Sequence, residues 1–162
     1  MKKLFFLVVT LLMICSVPLF AGGSSETKKA TARKFSDNLL RWERSDIRSY
    51  SMRISYVAGN RPPQEFFVRV KDNRVVQYSV DDQEVSDLEG AENYTVEGLF
   101  RQTKEYVKSN KKKSPMLYVV EYDKQYGFVN FCTKIYNPDV KSGAAPSDSN
   151  FRLRVIDFDP EK

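Results

Sequence analysis

The sequence predicts an α+β domain in the order α-βββ-α-βββ, an antiparallel sheet with two helices packed on one of its faces. Three observations carry this. Apolar residues recur with a helical period in two stretches, 35–47 and 96–107, and with a period of two in the segments that follow each of them. The links between those segments are mostly short and rich in Gly, Pro, Asn and Asp, which suits hairpins. The chain past its N-terminal segment is about 140 residues, enough for one domain with a real core.

Residues 1–21 form the expected signal peptide. Lys2 and Lys3 supply the positive start, Leu4 to Cys15 run apolar apart from Thr10, and Ser16 and Pro18 break the run before Ala21-Gly22-Gly23-Ser24-Ser25. Cleavage is expected after Ala21 or Gly23. A second reading is lipidation at Cys15, since Leu12-Met13-Ile14-Cys15 is a degenerate lipobox with a bulky Ile before the cysteine. The expected location is therefore exported, periplasmic or extracellular, with lipid on Cys15 as the one route to a membrane.

Residues 22–31 are small, polar and charged, and read as a flexible tether before a single domain over 32–162. The first helix places Phe35, Leu39, Trp42 and Ile47 on one face and ends near Ser45 to Ser49. Tyr50, Met52, Ile54 and Tyr56 then alternate with polar residues in a half-buried strand. After the Ala58 to Pro63 turn, Phe66, Val68 and Val70 alternate with Phe67, Arg69 and Lys71, and Val75 to Val80 return the chain. Asp72-Asn73 between them supplies the positive φ that a tight hairpin turn requires.

An acidic loop, Asp81 to Asn93, leads to Thr95, a helix N-cap. Val96, Leu99, Phe100, Thr103, Tyr106 and Val107 form the apolar face of the second helix, with Glu97 in its first turn and Lys108 near its end, each favourable to the helix dipole. Met116 to Tyr122 and Phe128 to Tyr136 form the next hairpin, with Val129, Phe131, Thr133 and Ile135 expected on one face. A loop over Asn137 to Asn150 precedes the last strand, Phe151 to Phe158. On these parities the helix-free face of the sheet displays Arg53, Phe67, Arg69, Gln77, Asn130, Cys132, Arg152 and Arg154.

Several stretches, in order, resemble a family of exported bacterial domains known only as a domain of unknown function, number six-one-seven-four. They are Trp42 with Ile47 to Met52, Val68 to Val76, Tyr94 to Phe100, and Val120 to Phe128. The resemblance implies export and a fold rather than an activity. Two features depart from the pattern: the first hairpin lacks the cysteine pair that members often carry, and Asn73 stands where a hairpin Gly is usual. Asn is a mild change, because its short side chain tolerates positive φ.

Composition narrows the chemistry. The chain has no histidine, which removes Ser-His-Asp and Cys-His catalysis and the common zinc sites. Without residues 1–21 it keeps one cysteine, Cys132, so no internal disulfide forms. The formal charge of +5 becomes +3 once Lys2 and Lys3 are removed, and both signs are interspersed. Lys111-Lys112-Lys113 is a solvated loop rather than a nucleic-acid stripe, and no nucleic-acid partner is expected.

Ser109-Asn110-Lys111-Lys112 matches S-x-x-K in letters only, because the serine ends a helix instead of opening one. The acids of 81–92 lack the order of a calcium loop, and no cofactor or metal is expected. Asn93-Tyr94-Thr95 is a glycosylation sequon whose Thr is explained as the helix cap.

The tyrosines are the enrichment that points to function. Tyr118, Tyr122, Tyr126 and Tyr136, with Phe128, cluster around one hairpin, and aromatic residues are favoured at interfaces. Together with Arg69, Arg152 and Arg154 they make up the expected interaction surface for a protein, peptide or cell-envelope partner. A non-enzymatic binding or scaffold module is the preferred reading. A protease or hydrolase inhibitor presenting the Gly59 to Pro63 turn is a second, and a carboxylate-based hydrolase a third.

Overall fold

The computed structural model describes residues 23–110, 114–137 and 150–161. The expected signal peptide, Cys15, the Lys111 to Lys113 run and most of the 137–150 loop lie outside the described residues. The elements are α1 (Gly23–Ser45), β1 (Tyr50–Ala58), β2 (Gln64–Lys71), β3 (Arg74–Val80), a two-residue β4 (Gln83–Glu84), a 3-10 turn (Ala91–Tyr94), α2 (Val96–Ser109), β5 (Met116–Tyr122), β6 (Val129–Tyr136) and β7 (Phe151–Pro160).

The strands form one seven-stranded antiparallel sheet in the order β4-β3-β2-β1-β7-β6-β5. The first strand and the last pair at its centre, from Tyr50 opposite Pro160 to Ala58 opposite Phe151. Both helices pack on one face. The hydrophobic core between the layers holds Trp42, Tyr50, Met52, Ile54, Val68, Val96, Leu99, Phe100, Phe128 and Val129, and no described element covers the opposite face of the sheet.

Local chemistry explains most boundaries. Asp72 and Asn73 both have positive φ, 48° and 62°, as the β2–β3 turn demands. Asp81 and Asp82 repeat that geometry at 50° and 62°, so the acidic loop opens with a second tight turn and the short β4. Thr95 caps α2, its Oγ1 accepting the Gly98 N–H at 3.0 Å. The first helix starts at Gly23 rather than Ala32, taking in the stretch read as a tether. Glu26, Lys28, Lys29 and Ala30 are good helix formers, and no Gly or Pro follows Gly23 to stop the helix.

Three bulges set the side-chain parities. Val76 in β3, Asn130 in β6 and Ile156 in β7 are extra residues without an opposite partner. An extra residue moves everything beyond it to the other face. This overturns one expectation. Val129 faces the core as expected, but past Asn130 the sides exchange: Cys132 is buried at 3 % exposure, while Phe131, Thr133 and Ile135 stand on the open face.

Candidate functional site

The open face divides into two halves. Around β1–β3 it is charged and internally paired. Arg53 reaches Asp82 at 2.9 Å and Glu65 at 3.4 Å and lies over the Phe67 ring, and Arg69 meets Glu161 at 3.5 Å. Around β5–β7 it is different. Leu117 lies opposite Ile135 and Val119 opposite Thr133, so these share a face with Phe131. Val119 and Ile135 are 37 % and 40 % exposed. Arg154 lies over Phe131 at 5.1 Å, and Arg152 sits opposite Thr133. Neither arginine has a carboxylate partner among the described residues.

The predicted tyrosines lie on the other side of the sheet, facing the helices. Tyr118 stacks on Tyr106 with ring centres 4.3 Å apart, Tyr122 packs on Phe100 with Lys34 over its ring, and Tyr126 packs on Phe158. Tyr136 is half-buried and ends β6. Phe128 is corrected from a surface residue to a core one. It is 4 % exposed, between Trp42 and Phe158, because the turn before it folds onto α1. Of the expected surface, then, Arg69, Arg152 and Arg154 are on the open face.

A cleft of about 400 Å³ separates α2 from the sheet. Leu99, Gln102, Thr103 and Tyr106 line it from the helix, Tyr94 from the 3-10 turn, and Tyr56, Val129, Cys132, Phe151 and Leu153 from the strands. Sequence reasoning missed this site, since it placed Cys132 on the far face. Burial pushes the Cys132 thiol up to about 12, so it stays protonated and is no nucleophile at neutral pH. Burial likewise pushes Tyr94 up to about 12.

These shifts carry a pH dependence. The unfolded chain loses the Cys132 proton near 9 and the folded one only near 12, so stability is fully present below 9 and lost as pH rises towards 12. Tyrosines Tyr94 and Tyr122 add to the loss from about pH 10 upward. In alkaline melts the wild-type chain should begin to lose stability near pH 9, and Cys132→Val about one unit later.

A family model described as a family of unknown function, DUF6174, matches residues 34–135. The chain belongs to DUF6174. No curated protein and no solved structure matches it.

In this DUF6174 domain the stretches that carry the family resemblance are framework. The Trp42 indole N–H and the Tyr50 hydroxyl each donate to the Glu97 carboxylate at 3.0 Å, and the Val96 N–H donates to the Tyr50 oxygen at 2.9 Å. One carboxylate thereby ties α1, β1 and the start of α2 together. Burial, with the Glu97 charge beside it, holds the Tyr50 hydroxyl protonated well above the ordinary tyrosine range. Asp123 Oδ1 accepts the Gln125 and Tyr126 N–H groups and shapes the turn that ends at Gly127, where φ is +83°. A β-carbon on Gly127 would sit 2.6 Å from the Asn38 carbonyl oxygen, so this turn docks directly on α1.

Replacing Glu97 with glutamine keeps an acceptor for one donor and removes the charge from both bonds. Hydrogen bonds to charged groups are worth roughly 1.5–3 kcal/mol, and Glu97 is exposed enough for water to replace part of the loss. A cost of about 1.5 kcal/mol is expected in urea unfolding.

Proposed function

We propose that this DUF6174 chain is an exported, non-catalytic binding module of a bacterial envelope. Its working surface is the β5–β7 end of the open sheet face. One observation carries the reading: exposed Val119 and Ile135, with Leu117 and Phe131, form an apolar group beside two arginines that have no carboxylate partner among the described residues. Apolar contact flanked by unsatisfied cations suits a protein segment that brings its own apolar side chains and nearby carboxylates. On the β1–β3 half of the same face Arg53 and Arg69 are already paired with carboxylates, which leaves them less to offer a partner.

The test is a double substitution, Val119→Glu with Ile135→Glu, in cells that make the protein. Exposed substitutions of this kind cost about 0.5 kcal/mol or less, so the domain should keep its melting transition. The species crosslinked to the wild-type chain should disappear. A crosslinked complex that persists unchanged in the double variant contradicts the proposed surface. Export is read from the intact mass of the envelope form. A chain starting at Gly22 or Ser24 supports cleavage, a lipid on Cys15 supports anchoring, and a chain retaining Met1 in the cytoplasm contradicts export.

A further inference from the structure

The cleft beneath α2 is built unlike the rest of the core. Two aromatic stacks bracket it. At one side Tyr106 lies against Tyr118 and Phe151, with centroids at 4.3 and 5.6 Å. At the other, Tyr94 stacks on Phe66 at 4.0 Å and on Tyr78 at 5.9 Å. Tyr56 spans the two, 6.3 Å from Phe66 and 6.0 Å from Phe151. The helix rests on these rings, and the space between them is left open. Its volume, about 400 Å³, falls within the roughly 300–1,000 Å³ range of small-molecule sites.

Two further observations say what fits there. Among the described residues, no charged side chain lines the cleft. An ion entering it would lose its hydration with no opposite charge to meet it. Deep inside, Thr103 is 1 % exposed and lines the cleft. A threonine hydroxyl carries one O–H and two lone pairs, so it can take a bond from a ligand's polar atom. At the mouth, Gln102 is already held by its Nε2 donating to the Asn93 carbonyl at 2.7 Å, which fixes the rim.

We propose that the cleft bounded by Tyr56, Tyr94, Tyr106 and Phe151 binds an uncharged, ring-bearing small molecule whose flat body lies among the aromatic side chains and whose polar atom pairs with the Thr103 hydroxyl. The site is independent of the open face, because it lies on the helix side of the sheet.

The experiment uses two fluorescent probes with the same ring system, neutral N-phenylnaphthylamine and anionic anilinonaphthalene sulfonate. The full chain should bind the neutral probe saturably at one site, at least tenfold more tightly than the anionic one. Saturating neutral probe should raise the melting temperature of the wild-type chain, and the anionic probe at the same concentration should leave it unchanged. Thr103→Leu fills the space and removes the hydroxyl, and should weaken the neutral probe tenfold or more without lowering the melting temperature. Equal affinity for the two probes, or neutral-probe binding that Thr103→Leu leaves unchanged, overturns the proposal. Should Thr103→Leu fail to fold, Cys132→Leu, which fills the same cleft from the strand side, takes its place with the same expected loss of binding.

Discussion

Gly98→Ala is expected to destabilise the domain by about 3 kcal/mol or more, although it adds a single methyl group and favours the helix intrinsically. The reason is where α2 begins. A β-carbon at residue 98 would overlap the Glu92 carbonyl oxygen and lie 2.8 and 2.9 Å from the backbone C and Cα of Asn93. These are main-chain atoms of the 3-10 turn, so no side chain can rotate out of the way. The turn must move off α2, and with it the Thr95 cap, whose own hydroxyl donates to that same Glu92 carbonyl at 2.9 Å. Gly90→Ala makes the contrast. Its φ is +83° with nothing within 4 Å, so only the backbone strain of about 1–2 kcal/mol applies. Urea midpoints of the two variants, at unchanged m, should separate clearly.

Trp42→Ala is expected to cost about 4 kcal/mol. Trp42 is 5 % exposed and makes edge contacts with Tyr50, Phe128 and Phe158 at 5.7, 6.4 and 6.0 Å. Its removal therefore opens a cavity among three rings and leaves the Glu97 carboxylate one donor short. Trp42→Phe separates the two contributions. It keeps most of the ring packing and loses the indole N–H, and should cost about 1.5–2 kcal/mol. If the two variants unfold at the same denaturant concentration, packing at residue 42 is not what holds α1 to the sheet.

The fold was largely visible in the sequence, because its elements obey local rules. Tyr50, Met52 and Ile54 alternate cleanly, Asp72-Asn73 adopt the turn their side chains tolerate, and Thr95 caps the helix it precedes. What escaped depends on chain segments far apart. Nothing in the stretch around Asn130 announces a bulge, since the bulge exists only relative to β5, and it alone decides which way Cys132 points. The pairing of β1 with β7 is likewise set by closure of the whole sheet.

The interaction surface was legible in part. Arg152 and Arg154 were placed on the open face because no bulge intervenes between them and the start of β7, whereas Val119 and Ile135 were not singled out. The tyrosine cluster was recognised as a cluster, but its role follows from α2 lying over it. Tyr118 faces Tyr106 across the layer, and only the packed structure shows that. Glu97 was visible as a charge near a helix start. Its bonds to Trp42 and Tyr50 join residues 55 and 47 positions apart and left no local signal.

The central claim is that the β5–β7 end of the open face is where a partner sits. It is tested most directly by placing a photo-crosslinking amino acid in turn at Val119 and Ile135 on that face and at Arg101 and Glu105 on the exposed side of α2, in cells that make the protein. The account predicts one discrete adduct, shared by the two sheet positions and absent from the two helix positions. An adduct from the helix positions alone, or none from Val119 and Ile135, would contradict it.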